Sequence, residues 1–195
     1  MKYSDIRGSL KTGDMIAFSG NGLISNLIKW KTNSPISHVA IVLSTQTSDL
    51  GDFVFICEST TLTTTADAIT KELWQGVQIQ LLSSRINHYD GDIYIHPLTN
   101  HLSDQSKQTM VQWLRKKHQD KTPYDSKQAL GSGLDLFDSI VGENTPDFSS
   151  LFCSELVTKA LQLGGAVSTQ LNPSEMTPVD CTEFSCFDQP TRICR

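Results

Sequence analysis

"SHVAIVLSTQTSDLGDFVFICEST", residues 37–60, holds two runs dense in β-branched and aromatic residues, separated by a polar interval. "SHVAIVLS" and "FVFICEST" each read as a strand, and the short "TQTSDLGD" between them predicts an antiparallel hairpin. Folded about position 48, the hairpin sets Val42 against Val54, Ala40 against Ile56 and His38 against Glu58. Directly opposed residues have Cβ atoms about 4.5–5.5 Å apart, close enough for a carboxylate to hold an imidazole N–H. A slip of one residue would send Glu58 to the other face, so the pairing depends on register. A plain strand-end carboxylate, or a simple salt bridge to His38, is the alternative reading.

Outward from the hairpin, "GDMIAF" (13–18) reads as a first strand, and "GVQIQLLS" (76–83) and "GDIYIHPL" (91–98) as two more. "GNGLISNLIKWKT" (20–32) has Leu23, Ile24, Leu27 and Ile28 at helical spacing, and residues 103–120 form a longer helix through Met110, Trp113 and Leu114, with Ser103 or Asp104 as N-cap. This order predicts an α+β fold, a small mainly antiparallel sheet packed against helices, in one domain over 1–195. The irregular stretch 131–148 reads as a lid-like or substrate-facing insertion.

The net charge of −5 over 195 residues, with no basic block, argues against nucleic acid and anionic membrane surfaces as partners. No apolar run approaches the ~20 residues of a membrane span, so no integral membrane segment is expected. The N-terminus lacks the basic-then-apolar pattern of a signal peptide, which predicts a cytoplasmic or otherwise non-secreted protein. The five cysteines form no CxxC pair. Cys181, Cys186 and Cys194 cluster near the end without ligand-like spacing or a nearby histidine, so neither a metal nor another cofactor is expected. Oligomeric state is not legible.

"SSLFCSELVTKAL" (149–161) places Cys153 in the first turn of an amphipathic helix. Ser149 or Ser150 would cap it, Phe152, Leu156, Ala160 and Leu163 would line its apolar side, and Gly164-Gly165 would stop it. Backbone N–H groups at such a position favour negative charge, on a nucleophile or on a developing oxyanion. Packing as a small buried hydrophobe is the plain alternative. Of the five histidines, His88, His96, His101 and His118 read as solvated residues of polar or boundary segments, whereas His38 opens a strand. Cys153, His38 and Glu58 together supply a nucleophile, a base and a group to orient it.

In order, "GDMIAF", "LISNLIKWKTNSPISHVAIVLS", "FICEST", "TPYD" and "LFCSELV" resemble the permuted NlpC-type papain-like cysteine hydrolases, particularly the YiiX-like branch. The resemblance runs from about residue 11 to residue 165, with "SHVAIV" and "FCSELV" its most specific parts. It implies a circularly permuted papain-like fold whose histidine strand precedes the cysteine helix. It also implies Cys153 as nucleophile, His38 as base and Glu58 as the third polar residue. Tyr124 of "TPYD", with Ser154, becomes a candidate for the oxyanion or substrate-binding side, although Tyr124 and Asp125 after Pro123 also make good turn chemistry.

The activity so implied is hydrolysis of an amide, peptide or ester bond through an acyl-Cys153 intermediate. Three alternatives stand beside it. Similarity to lecithin:retinol acyltransferase relatives allows acyl transfer on a lipid-like substrate, in a groove built with Leu134, Leu136, Phe137, Ile140 and Val141, although these five read as readily as an ordinary packed short helix. A papain-like scaffold that binds without turnover is the second, and a zinc site on Cys, His and Glu the third.

Overall fold

Alternating apolar residues make the centre of the molecule a sheet. The computed structural model describes residues 1–20, 34–49, 51–125 and 151–194. Its strands are β1 (Met15–Gly20), β2 (His38–Ser48), β3 (Gly51–Thr60), β4 (Gly76–Leu81), β5 (Gly91–His96) and β6 (Thr191–Ile193). They form one antiparallel six-stranded sheet in the order β4-β3-β2-β1-β5-β6. The helices among the described residues are α1 (Tyr3–Ile6), α2 (Leu82–Asn87), α3 (Asp104–Gln119), α4 (Cys153–Leu163) and α5 (Pro178–Thr182).

Both faces of the sheet are covered, which is why "VAIVL" in β2 reads as a continuous apolar run. Met15, Ala17, Val39, Ile41 and Cys57 pack with Met110 and Leu114 of α3 and with Leu156 and Ala160 of α4. On the opposite face Ile16, Phe18, Ala40, Val42 and Ile56 pack with Leu82 and Ile86 of α2 and with Tyr89. The expected strand 76–83 ends at Leu81, because Leu82, Arg85 and Ile86 recur at helical spacing and are buried as one side of α2. The helix expected at 20–32, all but its first residue, and the insertion 131–148 with its groove residues lie outside the described residues.

The hairpin forms, with a register different from the one its midpoint suggests. Ser48 faces Gly51 and Ser44 faces Phe55, then a bulge intervenes, after which Val42 faces Ile56 and Ile41 faces Cys57. Val42 therefore does not face Val54, and continuing the register sets Glu58 toward Ala40, with His38 on the diagonal. Without the bulge, the register of the turn would put Glu58 opposite Ile41, on the face His38 does not share. The extra residue in β2 restores both to one face.

Two of the histidines read as solvated are buried: His96 is 4% and His118 5% exposed. His118 ends up inside because Asp67 meets it there. Asp67 Oδ2 lies 2.9 Å from His118 Nε2 and accepts from the Ile79 N–H at 2.8 Å, while Oδ1 accepts from the Ile69 and Thr70 N–H groups. Burial works against the charge, but His118 and these N–H donors outweigh it and hold the Asp67 carboxyl well below the carboxylate range. With its folded pKa depressed, Asp67 contributes stability that is present above the unfolded carboxyl range and is lost as pH falls below it. Asp67→Ala leaves His118 and three backbone donors without their partner, at an expected cost of about 3–5 kcal/mol in urea unfolding; a loss below about 1 kcal/mol would contradict this role. Among the described residues, no helix is long and apolar enough to cross a membrane.

Candidate active site

Three hydrogen bonds, two of them between backbone groups, deliver α4 to the end of β2 and β3. Val77 at the start of β4 donates to the Thr122 carbonyl at 2.9 Å, and Leu151 donates to Pro123 at 3.0 Å. Gly76 permits the first of these: it has φ +141°, and a Cβ there would sit 2.3 Å from the Thr122 carbonyl oxygen. Ser59, next to Glu58, donates its hydroxyl to the Leu151 carbonyl at 2.6 Å, two residues before Cys153.

Cys153 is the first residue of α4. Its N-cap is Phe152, in extended conformation and with no side-chain cap, in place of the expected Ser149 or Ser150, which lie outside the described residues. Among the described residues, no capping hydroxyl therefore consumes the N–H groups of the first turn. Cys153 is 1% exposed.

His38, the first residue of β2, joins elements from the two sides of the sheet. Its Nε2 lies 2.6 Å from Glu58 Oε2, and the Cys153 thiol is close enough to act on the charge of the same ring. With Nε2 committed to the carboxylate, Nδ1 is the nitrogen left for the thiol. Burial disfavours the imidazolium, yet the nearby Cys153, and then Glu58, raise His38 from 6.5 to about 9. Burial likewise opposes the Glu58 carboxylate, and Arg85 first, then His38, bring it down to about 2.

Arg85 was not legible as part of the site. It is 2% exposed, its Nη2 donates to Glu58 Oε2 at 3.2 Å, and its Nε lies 2.9 Å from Oε1. The Nε to Oε1 contact is an ion pair without the alignment of a hydrogen bond, and neither atom has another partner. Phe18 and Tyr89 flank the guanidinium, with ring centroids 5.5 and 5.6 Å from it. Phe18 also packs against the His38 ring, centroids 5.4 Å apart. The signal in the sequence was an arginine at a core position of a short apolar helix, between Leu82 and Ile86.

Tyr124 stands near Cys153: burial, then the charges of Cys153 and Asp125, push its phenol up, so it stays protonated and able to donate. Its ring meets Phe152 edge-on at 5.8 Å, and its backbone bridges to Leu151. The Ser154 side chain is not brought to the site. Its hydroxyl donates to the Met176 carbonyl, inside the core, because the second helix position turns away from β2. The five cysteines are free thiols, and Cys181 is buried against Thr158 and the Ser154 carbonyl.

The raised His38 value sets a pH window. Its folded pKa lies above the unfolded one, so the stabilisation is fully present below about 6.5 and is lost as pH rises through about 9. Urea midpoints of the wild type should fall across that window, and the fall should shrink in His38→Ala; an equal fall in both proteins would contradict the pairing.

No protein-family model matches the chain, and no curated protein matches it. Among solved structures, it is similar to the crystal structure of the metalloprotein yiiX from Escherichia coli O157:H7, at 17% identity and a TM-score of 0.59, over 95% of this chain and 97% of that one. The likeness shows the fold, an α+β architecture of the YiiX type.

Proposed function

We propose that this protein is a cysteine-dependent hydrolase with a circularly permuted papain-like fold, acting on an amide, peptide or ester bond. The observation that carries the reading is the 2.6 Å contact of His38 with Glu58, a carboxylate held by Arg85, with the Cys153 thiol acting on the same imidazole. In the proposed sequence, His38 takes the thiol proton, Cys153 attacks the carbonyl carbon, and the imidazolium protonates the leaving group as the tetrahedral intermediate collapses. Water, deprotonated by His38, then attacks the acyl-cysteine and releases the acid. Backbone N–H groups of the first turn of α4 and the Tyr124 hydroxyl are suited to the oxyanion, and Glu58 fixes the imidazole with Nδ1 toward the thiol.

The similar E. coli protein is described as a metalloprotein, which makes the same triad worth weighing as a metal site here. The donors do not suit one. Both oxygens of Glu58 are engaged by Arg85 and His38, and a cation bound there would meet the guanidinium charge. Among the described residues, no group of three or more His, Cys, Asp or Glu side chains could hold a metal ion. Stoichiometric zinc in the purified protein, lost in Cys153→Ala, would overturn this.

Intact-mass analysis after exposure to a panel of activated esters and peptide amides tests the reading. The expected result is an acyl adduct on Cys153 that discharges to water. Discharge that occurs on adding an amine or alcohol, and not in water, would make the protein an acyltransferase. The absence of adduct and turnover across the panel would favour a binding scaffold instead.

A further inference from the structure

Away from the Cys153 site, a cavity of about 360 Å³ opens between the sheet and the C-terminal end of α3. That volume falls within the roughly 300–1,000 Å³ of small-molecule sites. Its floor is apolar: Leu43 and Ile79 are buried, and Phe55 lies beside them. The bulge in β2 shapes one wall, because the register shift that aligns His38 with Glu58 also places Ser44 and Gln46 along the cavity. The facing wall is fixed in advance, since Asp67 holds the backbone of Ile69 and Thr70. Ile69 itself is 58% exposed at the rim, an apolar side chain left in water.

The charges on the lining have one sign. Arg115, His118 and Lys121 line the cavity, and no acidic residue does among the described residues, in a chain whose net charge is −5. His118 is bonded to Asp67, and Lys121 pairs with Glu72 and lies 5.1 Å from the centroid of Trp74. Arg115 is exposed and, among the described residues, has neither an ion pair nor a hydrogen bond. An apolar floor beneath a guanidinium that has no counter-ion among the described residues suits a ligand with an apolar body and one negative head.

We propose that this cavity binds a small amphipathic anion, its apolar part against Leu43, Phe55 and Ile79 and its carboxylate or phosphate head on Arg115. Calorimetric titration of the full chain with sodium octanoate tests this, with octylammonium and inorganic phosphate as comparisons. Saturable octanoate binding is expected, weakened about tenfold in Arg115→Ala, with methyl shifts at Leu43, Ile69 and Ile79 and no binding of octylammonium. Arg115 is exposed, so the substitution leaves the core intact. Cys153→Ala should bind octanoate as well as the wild type, which separates this site from the candidate active site. The proposal is overturned by no saturable binding, by equal affinity in Arg115→Ala, by equal binding of octylammonium, or by phosphate binding as tightly as octanoate.

Discussion

Cys153→Ala is expected to lower turnover by about 10⁴-fold or more, while the protein stays folded. The thiol is buried beside His38, and removing one sulfur from a packed helix start costs about 1 kcal/mol of burial. The same substitution removes the partner that contributes most to holding His38 near 9, so the imidazole should titrate closer to 6.5. Cys186→Ala and Cys194→Ala serve as controls: both thiols are more accessible than Cys153, and neither should affect the rate. Turnover retained in Cys153→Ala, at correct fold, would remove the thiol from the chemistry.

Arg85→Met carries the second large effect. Glu58 is 1% exposed, and without the guanidinium its charge has His38 as its one remaining ionic partner. Breaking a buried pair in this way costs about 3–5 kcal/mol. The Glu58 carboxyl should rise from about 2, and His38 should lose part of the partner that holds it near 9, so turnover should fall along with stability. Combining Arg85→Met with Glu58→Gln removes both charges and should recover much of the stability without the rate. If Arg85→Met alone stayed within about 1 kcal/mol of the wild type, with His38 titrating unchanged, the clamp would have no part in positioning the triad. In the wild type, Glu58 contributes stability that is present above about 4.5 and is lost as pH falls toward about 2, because its folded pKa is depressed.

The sheet was legible because each of its long strands carries a dense apolar run, and α3 because Met110, Trp113 and Leu114 repeat at helical spacing with Ser103 as its cap. β6 was not, since three residues are too few to show alternation. The meeting of His38 with Glu58 was anticipated on a symmetric hairpin. The hairpin is not symmetric, and the two share a face because a bulge near Leu43, invisible in composition, absorbs the odd residue. Sequence alone predicts that Glu58→Gln leaves weak activity, since an amide can still orient an imidazole. Arg85 alters that expectation, because a neutral amide in place of the Glu58 carboxylate would leave a buried guanidinium without its counter-ion. Long-range burial of this kind, like that of Asp67 with His118, joins residues far apart in the chain and leaves no local pattern to read.

The central claim is that His38 activates Cys153, and alkylation by iodoacetamide at about pH 6 tests it most directly, with each cysteine followed by peptide mass in wild type and His38→Ala. Labelling of Cys153 ahead of the more accessible Cys186 and Cys194, lost in His38→Ala, is the result expected of an activated pair. Slow labelling of Cys153 in both proteins, behind the other two cysteines, would contradict it and leave the thiol as part of the core.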